Sequence, residues 1–503
     1  MRLKILLILY LLITTISLTA LPVFSDEAIY IHWAQVATNE PSKYAFLPML
    51  DGKPPLHVWT LIPMLKLTQD PLLAGRLVSV FVGLVNIILI GMFVRELGGE
   101  TRDERLAQLV ATILPFWFFH NRMALAEVML VMWLLLGLVA GIRAYANNKK
   151  SFFWTIVFSL AVGGSLWTKV SGLFFVPVFL MIPLLIISAK TKKLSVIGAI
   201  REGYLHTGVI RLFIGGVIGG LIFLTLRLSP LFPYLFARSA DYAFTLRDLL
   251  GGEWRFVVFA ATPRLMYWLV WYLSPFIFIL ALRSGRRGLV LFLMSLAYAL
   301  PLLVGGRVVY SRYFLPMAVP LTIMAVFGFR ELYNQGNRNK TLALICLGGA
   351  VLWSSMFILP SYIRPGLTPF ALQDQVQYLT EWSSGYGIPQ VRDYLRQQIA
   401  QRTNGQQIEV GTEGYFGTLP DGLSIYFNDP IYADKIKIDG VGQPIHAIPD
   451  RLLQSAKTQD TYLVVNSHRF FLENTSNYEV VGVYDRPYGG PKLLLLRILP
   501  QKQ

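Results

Sequence analysis

Asp26 and Glu27 stand side by side in Ser25-Asp26-Glu27-Ala28-Ile29-Tyr30, and further along a single lysine is held in Asp51-Gly52-Lys53-Pro54-Pro55-Leu56-His57-Val58-Trp59. A carboxylate can take a proton from a hydroxyl as a transition state develops, and an ammonium is a compact point charge suited to a phosphate oxygen. Pro54 and Pro55 fix the backbone and push Lys53 toward an extended conformation, so a stiff turn presents one cation, with His57 close behind. Each part also has a plain structural account. Acidic residues suit a helix N-terminus, which Ser25 or Asp26 can cap, and an isolated Lys-Pro-Pro can be an interfacial loop with a snorkelling lysine. The combination is more informative than either part.

A second group centres on Trp117-Phe118-Phe119-His120-Asn121-Arg122-Met123-Ala124-Leu125-Ala126-Glu127, which places Glu127 inside an apolar helix. There a carboxylate costs on the order of 3 kcal/mol unless it meets a partner or water. A structural Arg122 to Glu127 pair is the alternative, although residues five apart share a helical face less well than those three or four apart. Arg76, Lys169, Arg307 and Arg312 are further cations expected at the same face. Jointly they can neutralise a lipid phosphate; snorkelling accounts for each singly, and Arg312, within Tyr310-Ser311-Arg312-Tyr313-Phe314-Leu315-Pro316, is the strongest of them. The loop from Arg227 to Arg264, with Arg238, Asp241, Arg247, Asp248 and Arg255, is expected to cover the same cavity.

The elements that must position these groups are membrane helices. The 503-residue chain is 54% hydrophobic and only 15% charged, against roughly 25% charged in soluble proteins. Its formal net charge of +16 does not indicate nucleic acid, because no basic run or aromatic-basic interleaving occurs and the positive residues collect in short loops. Cys346 is the only cysteine, which excludes an intrachain disulfide and a cysteine metal site. Apolar runs able to cross a hydrocarbon core of ~30 Å fall near 4–24, 72–94, 106–119, 123–146, 152–168, 171–189, 211–229, 264–282, 288–304, 312–330 and 341–360. The expectation is about eleven transmembrane helices in an all-α polytopic domain over 1–360, with a first outer loop at about 25–71.

Arg2 and Lys4, Arg95, Arg102 and Arg105, Lys149 and Lys150, Lys190, Lys192 and Lys193, Arg283, Arg286 and Arg287, and Arg338 and Lys340 occupy every second connection. Short cytoplasmic loops carry such excess, so the N-terminus is expected in the cytoplasm and the first loop and the C-terminal region outside. A cleavable signal peptide ending at Val23-Phe24-Ser25 is the lesser alternative, because the first apolar run exceeds a typical h-region of ~7–15 residues. The run Trp33, Val36 and Ala37 continues a helix from Ser25, expected to lie along the membrane surface with its acidic end toward the cavity. From 361 to 503 the composition turns polar and a soluble α/β domain is expected. It has a helix from Pro389 through Ile399 and strands at Ile408–Val410, Leu423–Phe427, Lys435–Ile438, Tyr462–Val465, Val480–Tyr484 and Leu493–Leu499.

On Asp26-Glu27, Gly52-Lys53-Pro54-Pro55 with Trp59, Arg76-Leu77-Val78-Ser79, Arg122 with Glu127, Leu166-Trp167-Thr168-Lys169 and Ser311-Arg312-Tyr313-Phe314-Leu315-Pro316, the chain resembles the GT-C superfamily of membrane glycosyltransferases. The likeness is to the bacterial relatives of dolichyl-phosphate-mannose protein mannosyltransferase and of aminoarabinose transferase (families 39 and 83). It implies that Asp26, with Glu27 beside it, is the base or orienting carboxylate. It implies also that Lys53, with Arg312 and Arg122, binds the carrier phosphate, and that Glu127, His57, Lys169 and Arg76 line the cavity.

The activity so implied is inverting transfer of a sugar from a polyprenyl-phosphate donor in the bilayer to an extracytoplasmic acceptor, whether lipid, protein or glycan, by an integral protein of the plasma (inner) membrane. Outside the cytoplasm there are no nucleotide sugars, so the donor must come from the membrane. A single displacement requires no cofactor; Asp26 and Glu27 could accommodate a divalent ion, but no metal-ligand spacing argues for one. The rival class is a multi-span transporter or lipid flippase of envelope assembly, against which stand the charged motifs gathered on one face and the lone soluble domain.

Overall fold

The computed structural model describes residues 2–146, 148–190, 196–402, 407–472 and 477–500. Lys192 and Lys193, expected in a basic loop, lie outside the described residues. By its contacts the chain forms two compact units, one of Met1–Ile16, Ala45–Thr60 and Arg76–Leu359, the other of Ser17–Tyr44, Leu61–Gly75 and Pro360–Gln503.

The chain begins with α1 (Leu3–Thr15), α2 (Ser25–Asn39), α3 (Pro41–Tyr44), α4 (Leu56–Leu65), α5 (Pro71–Glu96), α6 (Thr101–Ile113), α7 (Pro115–His120), α8 (Ala126–Tyr145) and α9 (Ser151–Thr168). Among the described residues eight helices are long and apolar enough to cross a membrane, and the bent pair Val170–Leu180 and Ile182–Ala189 makes up to nine. Of the eleven expected apolar runs, some are broken rather than single long helices. The first run yields the 13-residue α1, which rises only ~20 Å and ends just before Ser17, whose φ is 50°. The run 106–119 is divided between α6 and α7, because Pro115 holds Leu114 in an extended conformation (φ −60°, ψ 136°) and itself opens the next helix. The run 264–282 divides at Ser274 (φ 73°), where Pro275 begins a new helix.

Small residues let the membrane helices approach closely. A Cβ added to Gly219, in the helix Gly208–Leu224, would lie 2.6 Å from Val162 of α9, and one on Gly163 would lie 2.6 Å from Ile222. Two helices therefore meet backbone to backbone, as small residues permit in lipid. The start of α5 is set by Asp70, whose Oδ1 accepts the N–H groups of Leu72 and Leu73 at 2.9 and 3.1 Å.

The second unit carries a five-stranded sheet of β1 (Ile408–Glu413), β2 (Ile436–Gly442), β3 (Thr461–Asn466), β4 (Tyr478–Tyr484) and β5 (Leu493–Ile498), in the order β2-β1-β3-β5-β4. β1 runs parallel to both β2 and β3, whereas β5 is antiparallel to β3 and β4. β1 and β3 are buried at every position, as central strands covered on both faces are. The helix expected from Pro389 is present as Ile388–Ala400. The expected strand Leu423–Phe427 is absent; a helix Asp421–Ser424 stands there instead, since a short run buried on all sides has no period that separates strand from helix. Against that helix packs α2, with Ala28, Ile29, Tyr30, Ile31, Ala34 and Ala37 buried. Of the expected stripe Ala37 is buried, whereas Trp33 and Val36 stay partly exposed.

Candidate active site

In the first unit the turn that presents Lys53 is built by three local devices. A 3-10 turn, Leu47–Asp51, is closed by Gly52 at φ 72°, a conformation that favours glycine. Pro54 and Pro55 follow, and the Trp59 indole N–H then donates to the Ala45 carbonyl at 2.6 Å while its ring meets Phe46 and Trp167 edge-on. On this turn Lys53 Nζ lies 2.9 Å from Asp51 Oδ2, and Arg238 binds the other oxygen of Asp51. Arg238 also pairs with Asp241 at 3.0 Å, so the loop expected to cover the cavity is tied to the Lys53 turn. Farther along it Asp248 pairs with Arg307 at 2.5 Å.

Glu127 sits in the first turn of α8 and is 3% exposed. Lys169, the residue closing α9, places its Nζ 2.6 Å from Glu127 Oε1, and Arg312 Nε lies 3.9 Å from the same oxygen. The cations in turn face aromatic rings: Lys169 stands 4.4 Å over Tyr313, and the Arg312 guanidinium is 4.6 Å from Tyr310 and 5.3 Å from Tyr313. Ring faces attract cations in a dry setting, and one carboxylate between two cations leaves a net positive charge. Such a cluster can stabilise a buried anion.

Of the remaining expected residues in this unit, Arg76 and His57 are buried, and His57 Nε2 faces the Ala124 carbonyl at 3.4 Å, three residues before Glu127. Arg122 is used differently from the expected phosphate contact. Its guanidinium donates to the carbonyls of Ile13, Thr14 and Ile16, at 3.3, 3.0 and 2.7 Å, and lies over Phe118. It thereby satisfies carbonyls left open at the end of α1, where a positive charge also suits the helix dipole.

Asp26 and Glu27 belong to the second unit. There the Ser25 N–H donates to the Ser383 carbonyl at 3.0 Å, which pins the start of α2. Glu27 is fully buried and its Oε2 accepts the Phe24 N–H at 3.0 Å, so it makes a capping contact, whereas Asp26 is partly exposed. The capping carboxylate is Glu27 rather than Ser25 or Asp26. One turn further on, His32 Nδ1 lies 2.5 Å from Asp421 Oδ1 and Gln35 donates to the Ile425 carbonyl at 2.9 Å.

The reading of the sequence assigned no role to Asp51, Tyr310 or Tyr313, and it did not pair Lys169 with Glu127. Asp51 was discoverable from its place two residues before Lys53; the Lys169 contact joins two helices and has no signal in spacing. Among the described residues no three His, Cys, Asp or Glu side chains gather in a group that could hold a metal ion.

Comparison with known proteins places the fold. The family model of dolichyl-phosphate-mannose-protein mannosyltransferase matches residues 41–229. Two solved structures of ArnT from Cupriavidus metallidurans match over 99% of both chains at 16% identity: the undecaprenyl phosphate complex with a TM-score of 0.55, and the apo state with 0.56. The archaeal oligosaccharyltransferase AglB from Archaeoglobus fulgidus, in complex with an inhibitory peptide and a dolichol-phosphate, aligns with 92% of this chain and 69% of its own at 10% identity and a TM-score of 0.49. No curated protein matches the sequence. The chain has the GT-C fold of ArnT, and it is an integral membrane protein.

Proposed function

We propose that the protein is an inverting glycosyltransferase that moves a sugar from a polyprenyl-phosphate carrier to an extracytoplasmic acceptor. The observation that carries this is the buried constellation of Glu127, Lys169 and Arg312: two cations on one carboxylate, within a GT-C membrane unit. Undecaprenyl phosphate bound to ArnT, a structure of the same fold, agrees with a carrier of that chemistry. On the alternation of basic connections the N-terminus is assigned to the cytoplasm and the second unit to the opposite side, which takes the first run and the divided run 106–119 to cross the bilayer although neither is one long helix.

In this mechanism Asp26 accepts the proton of the acceptor hydroxyl while that oxygen attacks the anomeric carbon from the side opposite the phosphate. The bond from anomeric carbon to phosphate oxygen breaks, its electron pair leaves with the lipid phosphate, and configuration inverts. A hydroxyl is far less acidic than a carboxyl of pKa ~4, so the proton moves only as the transition state develops. Lys53, Arg312 and Lys169 stabilise the departing phosphate, an effect strongest where bulk water is excluded. Arg122, engaged with α1, is left out of the phosphate site.

The test is to incubate membranes with a labelled polyprenyl-phosphate sugar and follow label into lipid, glycan or protein. Asp26→Asn should lower the transfer rate ~10²- to 10⁴-fold, the usual contribution of a general base. A transporter or flippase gives no glycosylated product with either protein, and an unimpaired Asp26→Asn variant refutes the assigned base.

A further inference from the structure

The second unit holds a polar and aromatic cluster that the reaction above does not use. β1 and β3 are adjacent and parallel, but the chain leaves β1 toward β2 at one edge of the sheet and leaves β3 toward β4 at the other. Where onward connections diverge in this way, an open sheet forms a crevice beyond the carboxyl ends of the two strands, and ligands of such sheets bind there.

At that position the residues that end the strands form a polar network in which Glu413 and Asn466 are each 2% exposed. Glu413, the last of β1, accepts the Asn466 backbone N–H at 2.7 Å and the Asn466 side-chain amide at 3.0 Å, and its other oxygen takes Arg469 at 2.9 Å. Arg469 also binds Gln443 and lies 4.9 Å over the Trp382 ring. From beneath, Arg486 donates to Asn466 Oδ1 at 2.7 Å; it is 5% exposed, and its Nε finds no acceptor among the described residues. With Glu381 beside His468 at 3.6 Å, the carboxylates of Glu381 and Glu413 balance the two guanidiniums. A cluster of fixed donors and acceptors with no excess charge suits a neutral, hydroxyl-rich ligand rather than a phosphate or a basic peptide.

Tyr415, 71% exposed, opens the loop that follows β1, and a Cβ on Gly442 at the end of β2 would lie 3.1 Å from its hydroxyl. The β2 backbone beneath it is glycine: a Cβ on Gly440 would come within 2.2 Å of the Gly414 carbonyl oxygen and 2.9 Å of Tyr415 Cα. The close approach holds the aromatic residue outward. A sugar presents C–H groups on the face of its ring and hydroxyls at its rim, and accessible aromatic residues at the same strand ends as polar side chains match both.

The same loop reaches the start of α2. A Cβ on Gly417 (φ 102°) would lie 2.8 Å from Ser25 Oγ and 3.3 Å from the Trp382 ring, so the loop is wedged between Trp382 and the residue preceding Asp26. Asp421 fixes it there by accepting the Gly417 N–H at 2.6 Å while it pairs with His32. We infer that the second unit carries a carbohydrate-binding site at the carboxyl ends of β1 and β3, formed by the accessible Trp382, Tyr415 and Arg469 and held from within by the buried Glu413 and Asn466, which seats a glycan as the acceptor. The binding site stands on the strand order and these side chains; its assignment to the acceptor rests on the proposed role of Asp26.

Saturation-transfer NMR on the full-length protein in lipid nanodiscs, with maltotriose, mannotriose and chitotriose as probes, tests the site. At least one probe should receive saturation, mainly at ring C–H protons, and Tyr415→Ala should weaken its binding about ten-fold. Tyr415 is exposed, so this variant should fold as the wild type does; Trp382→Phe, which keeps a ring under Arg469, should weaken binding less than Trp382→Ala. No saturation of any probe, or wild-type binding by Tyr415→Ala, overturns the site. Asp26→Asn should bind the glycan as before while losing transfer. If it retains both, the proposed base is refuted and the binding site stands; a glycan bound through Tyr415 but never glycosylated by the wild type overturns its assignment as acceptor.

Discussion

Neutralising Glu127 gives the sharpest test of the cluster in the first unit. At an effective dielectric of about 20, Coulomb attraction is ~6 kcal/mol for Lys169 at 2.6 Å and ~4 kcal/mol for Arg312 at 3.9 Å. Most of this is offset by the cost of removing the charges from water, and deleting one partner of a buried pair costs roughly 3–5 kcal/mol because the other charge is left behind. Glu127→Gln should therefore destabilise the protein by about that amount, and Lys169→Met somewhat less, since Lys169 is 27% exposed. The double variant leaves neither orphan, so the two effects should fall short of their sum by about 1.5–3 kcal/mol. Thermal unfolding in nanodiscs reads these values. In parallel, Lys169→Met should raise the KM for the lipid donor roughly 10- to 100-fold, as loss of a charged hydrogen bond does, whereas Glu127→Gln should lower KM. Additive stability effects, or a donor KM that moves the same way in both variants, would refute the reasoning.

Three further outcomes are expected. Gly219→Val should destabilise the membrane unit by about 1–3 kcal/mol through overpacking against Val162 and Ser159, measured as a lowered Tm; an unchanged Tm would mean the helices separate freely. Asp421→Asn removes the charged acceptor of the Gly417 N–H and the partner of His32, and should cost ~1.5–3 kcal/mol, with faster proteolysis within residues 414–418 as the check. Burial pushes His468 below its ordinary value, outweighing the opposite pull of Glu381, so the unfolded chain takes up this proton more readily. Its contribution to stability is then full above pH ~6.5 and declines as pH falls below it; His468→Gln should flatten that part of a stability-against-pH curve.

How much of this was legible in the sequence depends on the range of the interaction. Glu127 is conspicuous because a carboxylate within an apolar helix must have a partner, and Lys53 because two prolines hold it; both inferences are local. The spans are legible from length and apolarity, except where one residue of backbone decides. Pro115 divides one run, and the positive φ of Ser17 follows the early end of another. Pairings between distant segments leave no trace in spacing, which is why Lys169 with Glu127, Arg238 with Asp51 and His32 with Asp421 came only from the fold. Arg122 shows the converse hazard. Its type and position fit a phosphate site, but carbonyls at the end of α1, more than a hundred positions earlier in the chain, claim it.

Asp51, held between Lys53 and Arg238, has a bearing on selectivity. In the proposed reaction, an anion that reaches Lys53 must displace a tethered carboxylate from two cations before it gains their attraction. Inorganic phosphate brings only its charge to that exchange and pays in lost hydration, so it competes poorly. A polyprenyl phosphate arrives already concentrated at the bilayer by its tail, and the hydrocarbon supplies the anchoring that the headgroup alone lacks. If Lys53 binds the donor phosphate as proposed, the internal carboxylate is a filter that favours membrane-borne anions over dissolved ones.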